Sequence, residues 1–253
     1  VRLLAETYRQ QEEWQDGITG MVRIQPALKG RAQTEAEALE AKFRLRSGES
    51  RGWRRLRPLL DGDQIPNVLI ALQVLQTVEL WEEVERETET AIGRFGENRD
   101  LRFIRAAALE RLDRVEAASE LFQGLVEEEP NDANAANYLG YMWADREMHL
   151  DRALELIAHA VALDPENSAY LDSLGWVHYR RGDLDQAEHW LRRAIDLGGN
   201  LGDGTLYCHL GEVLMVNGDR EEGRRYLLIG LDMGCEDPDH VRSLLEREDD
   251  AAP

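Results

Sequence analysis

The sequence predicts an all-α solenoid of about seven helical hairpins closed by a C-terminal capping helix, and three observations predict it. Small or apolar residues recur at Ala5, Ala38, Leu72, Ala106, Gly140, Gly175 and Gly211, with spacings of 33, 34, 34, 34, 35 and 36 residues. A second series follows the first by twelve or thirteen residues, at Gly17, Ser50, Val84, Ala118, Ala153, Ala187 and Gly223. Prolines at Pro130, Pro165 and Pro238 close several units, because proline lacks the N–H that a continuing helix needs. A period of this size marks an array in which each unit packs on its neighbours.

The clearest unit shows how the pattern arises. Leu171, Leu174, Gly175 and His178 occupy the i, i+3, i+4 and i+7 positions of one helical face. Gly175 and Ala187 are expected where two helices cross too closely for larger side chains, with Leu174, Leu191, Ile195 and Leu197 filling the groove around them. Gly182-Asp183 supplies the turn between helices, glycine through its freedom at positive φ and aspartate through capping. Asn217-Gly218-Asp219 does the same in the next unit. A hairpin of this length is unstable alone, so stacking is obligatory.

The units are not equally regular. Residues 131–236 hold three well-defined repeats and residues 65–130 two more, of which 97–130 is regular and 65–96 looser. Residues 1–64 are degenerate, and the register around Ala38, with its helix break at Ser47-Gly48-Glu49, is the least regular. Residues 237–253 read as a capping helix and tail, with Val241, Leu244 and Leu245 on one side and charges on the other. Val1 falls inside the first helix of a unit, so the array is expected to extend upstream.

The recurring Leu139-Gly140, Leu174-Gly175 and Leu210-Gly211 with Ala153, Ala187 and Gly223 resemble the tetratricopeptide repeat (TPR) family. That resemblance implies a right-handed superhelix whose first helices line a concave groove, with four positions per unit facing it. In register these are Asn134, Asn137, Tyr138 and Tyr141, then Ala169, Asp172, Ser173 and Trp176, then Thr205, Cys208, His209 and Glu212. Asp100, Phe103, Ile104 and Ala107 are the upstream equivalents. Asparagine offers a donor and an acceptor to an extended peptide backbone, and Tyr and Trp add contact area with a polar tip. Some members of the family grip a C-terminal carboxylate with Lys, Arg and Asn at these positions. Here the inward positions of the best units carry no Lys or Arg, so that mode is not expected. The stretches Asn137–Tyr141, Ala144–Arg146, Ser173–Val177 and Leu210–Leu214 also resemble exported bacterial TPR lipoproteins, some of which act as adaptors for envelope proteases.

Charge narrows the partners. The net charge of −20 opposes binding to nucleic acid and to anionic membranes, and no stretch approaches the length of a membrane span. Residues 1–64 nevertheless carry 12 Lys/Arg against 10 Asp/Glu, whereas residues 65–253 carry 18 against 40. Lys42, Arg44, Arg46, Arg51, Arg54, Arg55 and Arg57 form a local basic run. It is either a solvated face paired with neighbouring acids or a docking patch for an acidic partner.

No catalytic, cofactor or metal site is expected. The six histidines do not pair with cysteine or with one another at ligand spacings. Cys208 and His209 are adjacent on a helix and point about 100° apart, so they do not form a nucleophile–base pair. The expected function is an adaptor that holds a protein or peptide partner. The alternatives are the non-catalytic part of a larger enzyme or envelope complex, and a structural array that associates with itself.

Overall fold

The computed structural model describes residues 14–198 and 204–251, which contain fourteen α-helices and no strand. The predicted all-α repeat is therefore observed. Ala5 and the helix expected around it lie outside the described residues. The helices are α1 (Trp14–Ile24), α2 (Arg31–Arg46), α3 (Arg51–Leu60), α4 (Ile65–Thr77), α5 (Trp81–Phe95), α6 (Arg99–Arg111) and α7 (Val115–Glu128). They continue as α8 (Ala133–Asp145), α9 (Leu150–Leu163), α10 (Ser168–Arg180), α11 (Leu184–Gly198), α12 (Gly204–Asn217), α13 (Arg220–Met233) and α14 (Pro238–Ala251). The chain divides into two compact units, Val1–Leu121 and Phe122–Pro253, with the division inside α7.

Six hairpins, α2/α3 to α12/α13, share one device at the turn. The first or second residue after the first helix is left-handed: Gly48 (φ 77°), Glu79 (61°), Asp113 (58°), Glu147 (54°), Gly182 (83°) and Gly218 (99°). The amide of the next residue then reaches back five positions, as in Met148 N–H to Trp143 C=O at 2.7 Å and Asp183 N–H to His178 C=O at 2.9 Å. This paired closure satisfies carbonyls that the helix end leaves orphaned. On the other side, Asn98, Asp132 and Asn167 cap α6, α8 and α10 by accepting from backbone amides of the first turn.

Inside the hairpins the small residues mark the helix crossings. An ideal Cβ on Gly140 would lie 2.6 Å from Ile157 Cγ1, and one on Gly175 would lie 2.5 Å from Leu191 Cγ. At Gly211 the obstacle is Leu227, and at Gly223 it is Met215 and the Gly211 carbonyl. The α2/α3 hairpin departs from the sequence register. Its crossing residue in α3 is Gly52, set against Leu45 and the Ala41 carbonyl, as Gly223 is set against Met215 and the Gly211 carbonyl. Ser50 instead lies exposed at the cap of α3, and Ala38 is a core residue one turn from the crossing. The cause is the length of α2, which runs 16 residues where α8 and α10 run 13.

Each unit has its own core. In Val1–Leu121, Ala41, Leu56, Leu72, Leu75, Val84 and Leu101 belong to one buried cluster, and Ile18, Met21, Ala36 and Phe43 form another. Glu40 is fully buried beside them. Burial opposes its charge, yet hydrogen bonds from Arg44 and Gln25 and the charge of Arg55 hold its pKa below the ordinary glutamate value. In Phe122–Pro253, Leu171, Leu191, Leu210 and Leu214 make up one cluster. Cys208, Leu227, Cys235, Val241 and Leu245 make up the other, through which α14 covers the last hairpin.

Candidate functional site

In Phe122–Pro253 the first helices α8, α10 and α12 lie side by side, so residues at equivalent positions share one face. Their helical repeat sets the lining. Asn134 is exposed, while Asn137, Tyr138, Tyr141 and Asp172 are partly buried. Tyr138 stacks on Phe122 with ring centroids 4.7 Å apart. The Asn137 Oδ1 atom is buried and has no hydrogen-bond partner among the described residues, which costs free energy unless a ligand or water supplies a donor.

Behind this lining is a layer that sequence register assigned to the surface. Ser173, Trp176, His209 and Glu212 are buried, which corrects the expectation that Trp176 and His209 project into the groove. Both rings are covered because they pack on one another: their centroids are 4.0 Å apart and their planes 19° apart. The Ser173 hydroxyl turns back to the Ala169 carbonyl at 3.0 Å. Cys208 is buried as well, against the second helix of its hairpin.

The buried layer is a chain of polar contacts across four helices. Trp176 Nε1–H donates to Asp145 Oδ1 at 3.3 Å, and His209 Nδ1 lies 2.9 Å from Asp172 Oδ1. Tyr141 lies on the other side of His209, 6.1 Å between centroids. Glu212 meets His240 of α14 at 3.4 Å. Arg180 closes the end, with its guanidinium 5.4 Å from the Trp176 ring, its Nη2 on the Asp145 carbonyl at 2.6 Å and its charge paired with Glu147 at 3.3 Å.

The electrostatics follow from this packing. Burial disfavours a charged His209, but the Asp172 charge and hydrogen bond, with Glu212 and Asp145, outweigh it and raise the imidazole pKa. Burial also pushes the Glu212 carboxyl up, against the pull of His240, His209 and Arg180. Burial raises the Tyr179 phenol too, with Glu212 adding to it. Sequence reasoning passed over Asp145, Tyr179 and Arg180. The available signal was their spacing of four residues from Tyr141, three from Trp176 and four from Trp176, which returns each to the same helical face.

The remaining candidates are dispersed. In the upstream unit Phe103 is partly buried beneath Arg99 at 5.0 Å, and Ala107 is buried. Most of the basic run is internally paired. Arg44 binds Glu40 and Glu49, Arg55 binds Glu40, Arg57 binds Glu87 and Asp61, and Arg46 donates to the Thr77 carbonyl. Arg51 and Arg54 stay exposed with no ion pair among the described residues. Of the histidines, His159 contacts the Pro130 carbonyl at 2.9 Å, and His149 packs edge-on against Trp143.

Residues 148–201 match the family model described as tetratricopeptide repeat. The chain is 32% identical over 144 residues to the TPR repeat-containing protein PA4667 of Pseudomonas aeruginosa, covering 57% of this chain and 24% of that protein. It is 28% identical over 80 residues to the human mitochondrial import receptor subunit TOM70, covering 32% of this chain and 13% of the receptor subunit. The chain thus spans a quarter or less of the length of these relatives. Among solved structures, the thermophilic TPR protein TTC0263 of Thermus thermophilus superposes with a TM-score of 0.60 at 20% identity, covering 67% of this chain and 91% of that one.

Proposed function

We propose, on the premise that this chain is a tetratricopeptide-repeat protein, that it is a non-catalytic adaptor holding an extended segment of a partner protein on the first-helix face of α8, α10 and α12. The observation that carries this reading is the strip of Asn134, Asn137, Tyr138 and Tyr141 along α8, whose residues are exposed or only partly buried. An extended segment has unpaired backbone amides and carbonyls that asparagine side chains on this face can meet. The aromatic residues give contact area at low conformational cost. The buried Trp176–His209 layer keeps the lining rigid, which lowers the entropy lost on binding. Residues 122–253 contain 28 Asp/Glu against 11 Arg and no Lys, so the segment is neutral or basic.

Because Trp176 is 5% exposed, replacing it with alanine would open a cavity rather than remove a contact. The informative substitutions are Tyr141→Ala and Asn134→Arg, with Glu155→Ala on the exposed side of α9 as control. Once a partner segment has been captured and sequenced, titration calorimetry should show Tyr141→Ala weakening it by about 2 kcal/mol, or about thirtyfold. Asn134→Arg should weaken it further and Glu155→Ala should leave it unchanged. Wild-type affinity in the double variant would reject this face and redirect attention to Arg51 and Arg54.

A further inference from the structure

Asp172 stands at the boundary between the buried layer and the face. One oxygen, Oδ1, is committed to His209 at 2.9 Å. The side chain keeps 16% of its surface exposed while His209 keeps 7%, so the carboxylate is the more open of the two to solvent. His209 is shut in by Trp176 stacked on its face at 4.0 Å and by Tyr141. The charged and titratable groups around it can be named helix by helix. They are Asp145 and Tyr141 from α8, Asp172, Tyr179 and Arg180 from α10, Glu212 on its own helix and His240 from α14. The negative groups among them outnumber the single arginine.

The wall also contains an example of the cation it can receive. Arg180 rests on the Trp176 ring, donates to the Ala144 and Asp145 carbonyls and pairs with Glu147. An aromatic ring and a carboxylate also flank His209, Tyr141 at 6.1 Å between centroids and Asp172 at 2.9 Å, with no arginine of this chain in contact with Asp172 among the described residues.

We infer that Asp172 is shared between the His209 proton inside the wall and a guanidinium or ammonium group of the partner segment outside it, so that binding of the partner expels the proton. This rests on the proposed first-helix face and specifies the chemistry it recognises. With His209 protonated, the Asp172 charge is compensated from within and attracts an external cation weakly. With His209 neutral, the hydrogen bond persists but the carboxylate charge is left for the partner. Cation and proton therefore compete, and by linkage each weakens the other by the same factor. The raised pKa of His209 moves this competition above the ordinary histidine range.

The probe is the blocked tripeptide acetyl-Gly-Arg-Gly-amide, with acetyl-Gly-Gln-Gly-amide as control. Binding is followed by NMR at the Trp176 indole and the His209 ring. The arginine probe should perturb both, lower the His209 titration midpoint, and bind more tightly as pH rises toward the midpoint of the free protein, by up to about tenfold per pH unit, levelling off above it. Asp172→Asn should abolish the slope and weaken binding. His209→Gln should retain binding without the slope, and circular dichroism confirms that both variants fold. Failure of the arginine probe to bind, pH-independent binding, or the same slope in Asp172→Asn would overturn the inference. Failure of the adaptor reading is distinguishable, since it appears as partner capture that ignores Tyr141 and Asn134 at every pH.

Discussion

Replacing Gly175 with alanine sets two effects of known size against each other. Alanine favours a helix interior over glycine by about 1 kcal/mol, so the substitution would stabilise an unobstructed helix. At Gly175 the new methyl would lie 2.5 Å from Leu191 Cγ and 3.1 Å from the Ala187 carbonyl oxygen. Carbon atoms prefer about 3.5–4.0 Å, so the intrusion is about an ångström. Leu191 cannot yield, because it is fully buried in the cluster with Leu171, Leu210 and Leu214. The second obstacle is backbone, which moves only if α11 moves. Overpacking of this kind costs about 1–3 kcal/mol, and set against the propensity gain it leaves a net loss of up to about 2 kcal/mol. Gly93, inside α5, is the internal control: nothing lies within 4 Å of its ideal Cβ. Gly93→Ala should therefore stabilise by up to about 1 kcal/mol. Urea unfolding followed by far-UV circular dichroism measures both, and the two variants should shift in opposite directions. A Gly175→Ala protein that is stabilised, shifting in the same direction as Gly93→Ala, would show that this crossing is not where the hairpin is tight.

Two further outcomes follow from the buried charges. Glu40 is fully buried and accepts from Gln25, Arg44 and Arg55, so Glu40→Ala leaves Arg44, itself 13% exposed, without its inner partner. Calorimetry should find about 3–5 kcal/mol of destabilisation, and a loss below about 1 kcal/mol would mean that the network contributes nothing. His209 contributes stability with the sign of a raised folded pKa: fully present below the unfolded value near 6.5, and lost as pH rises through the folded value. Glu212, also raised, acts in the same sense. The melting-temperature advantage of wild type over His209→Gln should shrink as pH rises from below about 6.5 through the raised folded value, and an advantage that grows would contradict the pairing with Asp172.

The sequence by itself determined the repeat, because its cause is local and recurs. Gly140, Gly175 and Gly211, with Ala153, Ala187 and Gly223, stand where helices cross, and no larger residue fits there. The glycine turns at Gly182 and Gly218 were legible for the same reason. The equivalent turns at Glu79, Asp113 and Glu147 were not, since these residues disfavour positive φ and adopt it only because the hairpin on both sides requires it. The tertiary structure alone decided which residues of the first-helix face are lining and which are wall. Helical register gives a direction, but whether Trp176 meets solvent depends on His209, 33 residues away, stacking on it. Whether Arg44 is free depends on a glutamate buried by the folding of two helices. Burial and pairing are set by neighbours that the chain brings together only when it folds, and charge counted along the sequence does not contain them.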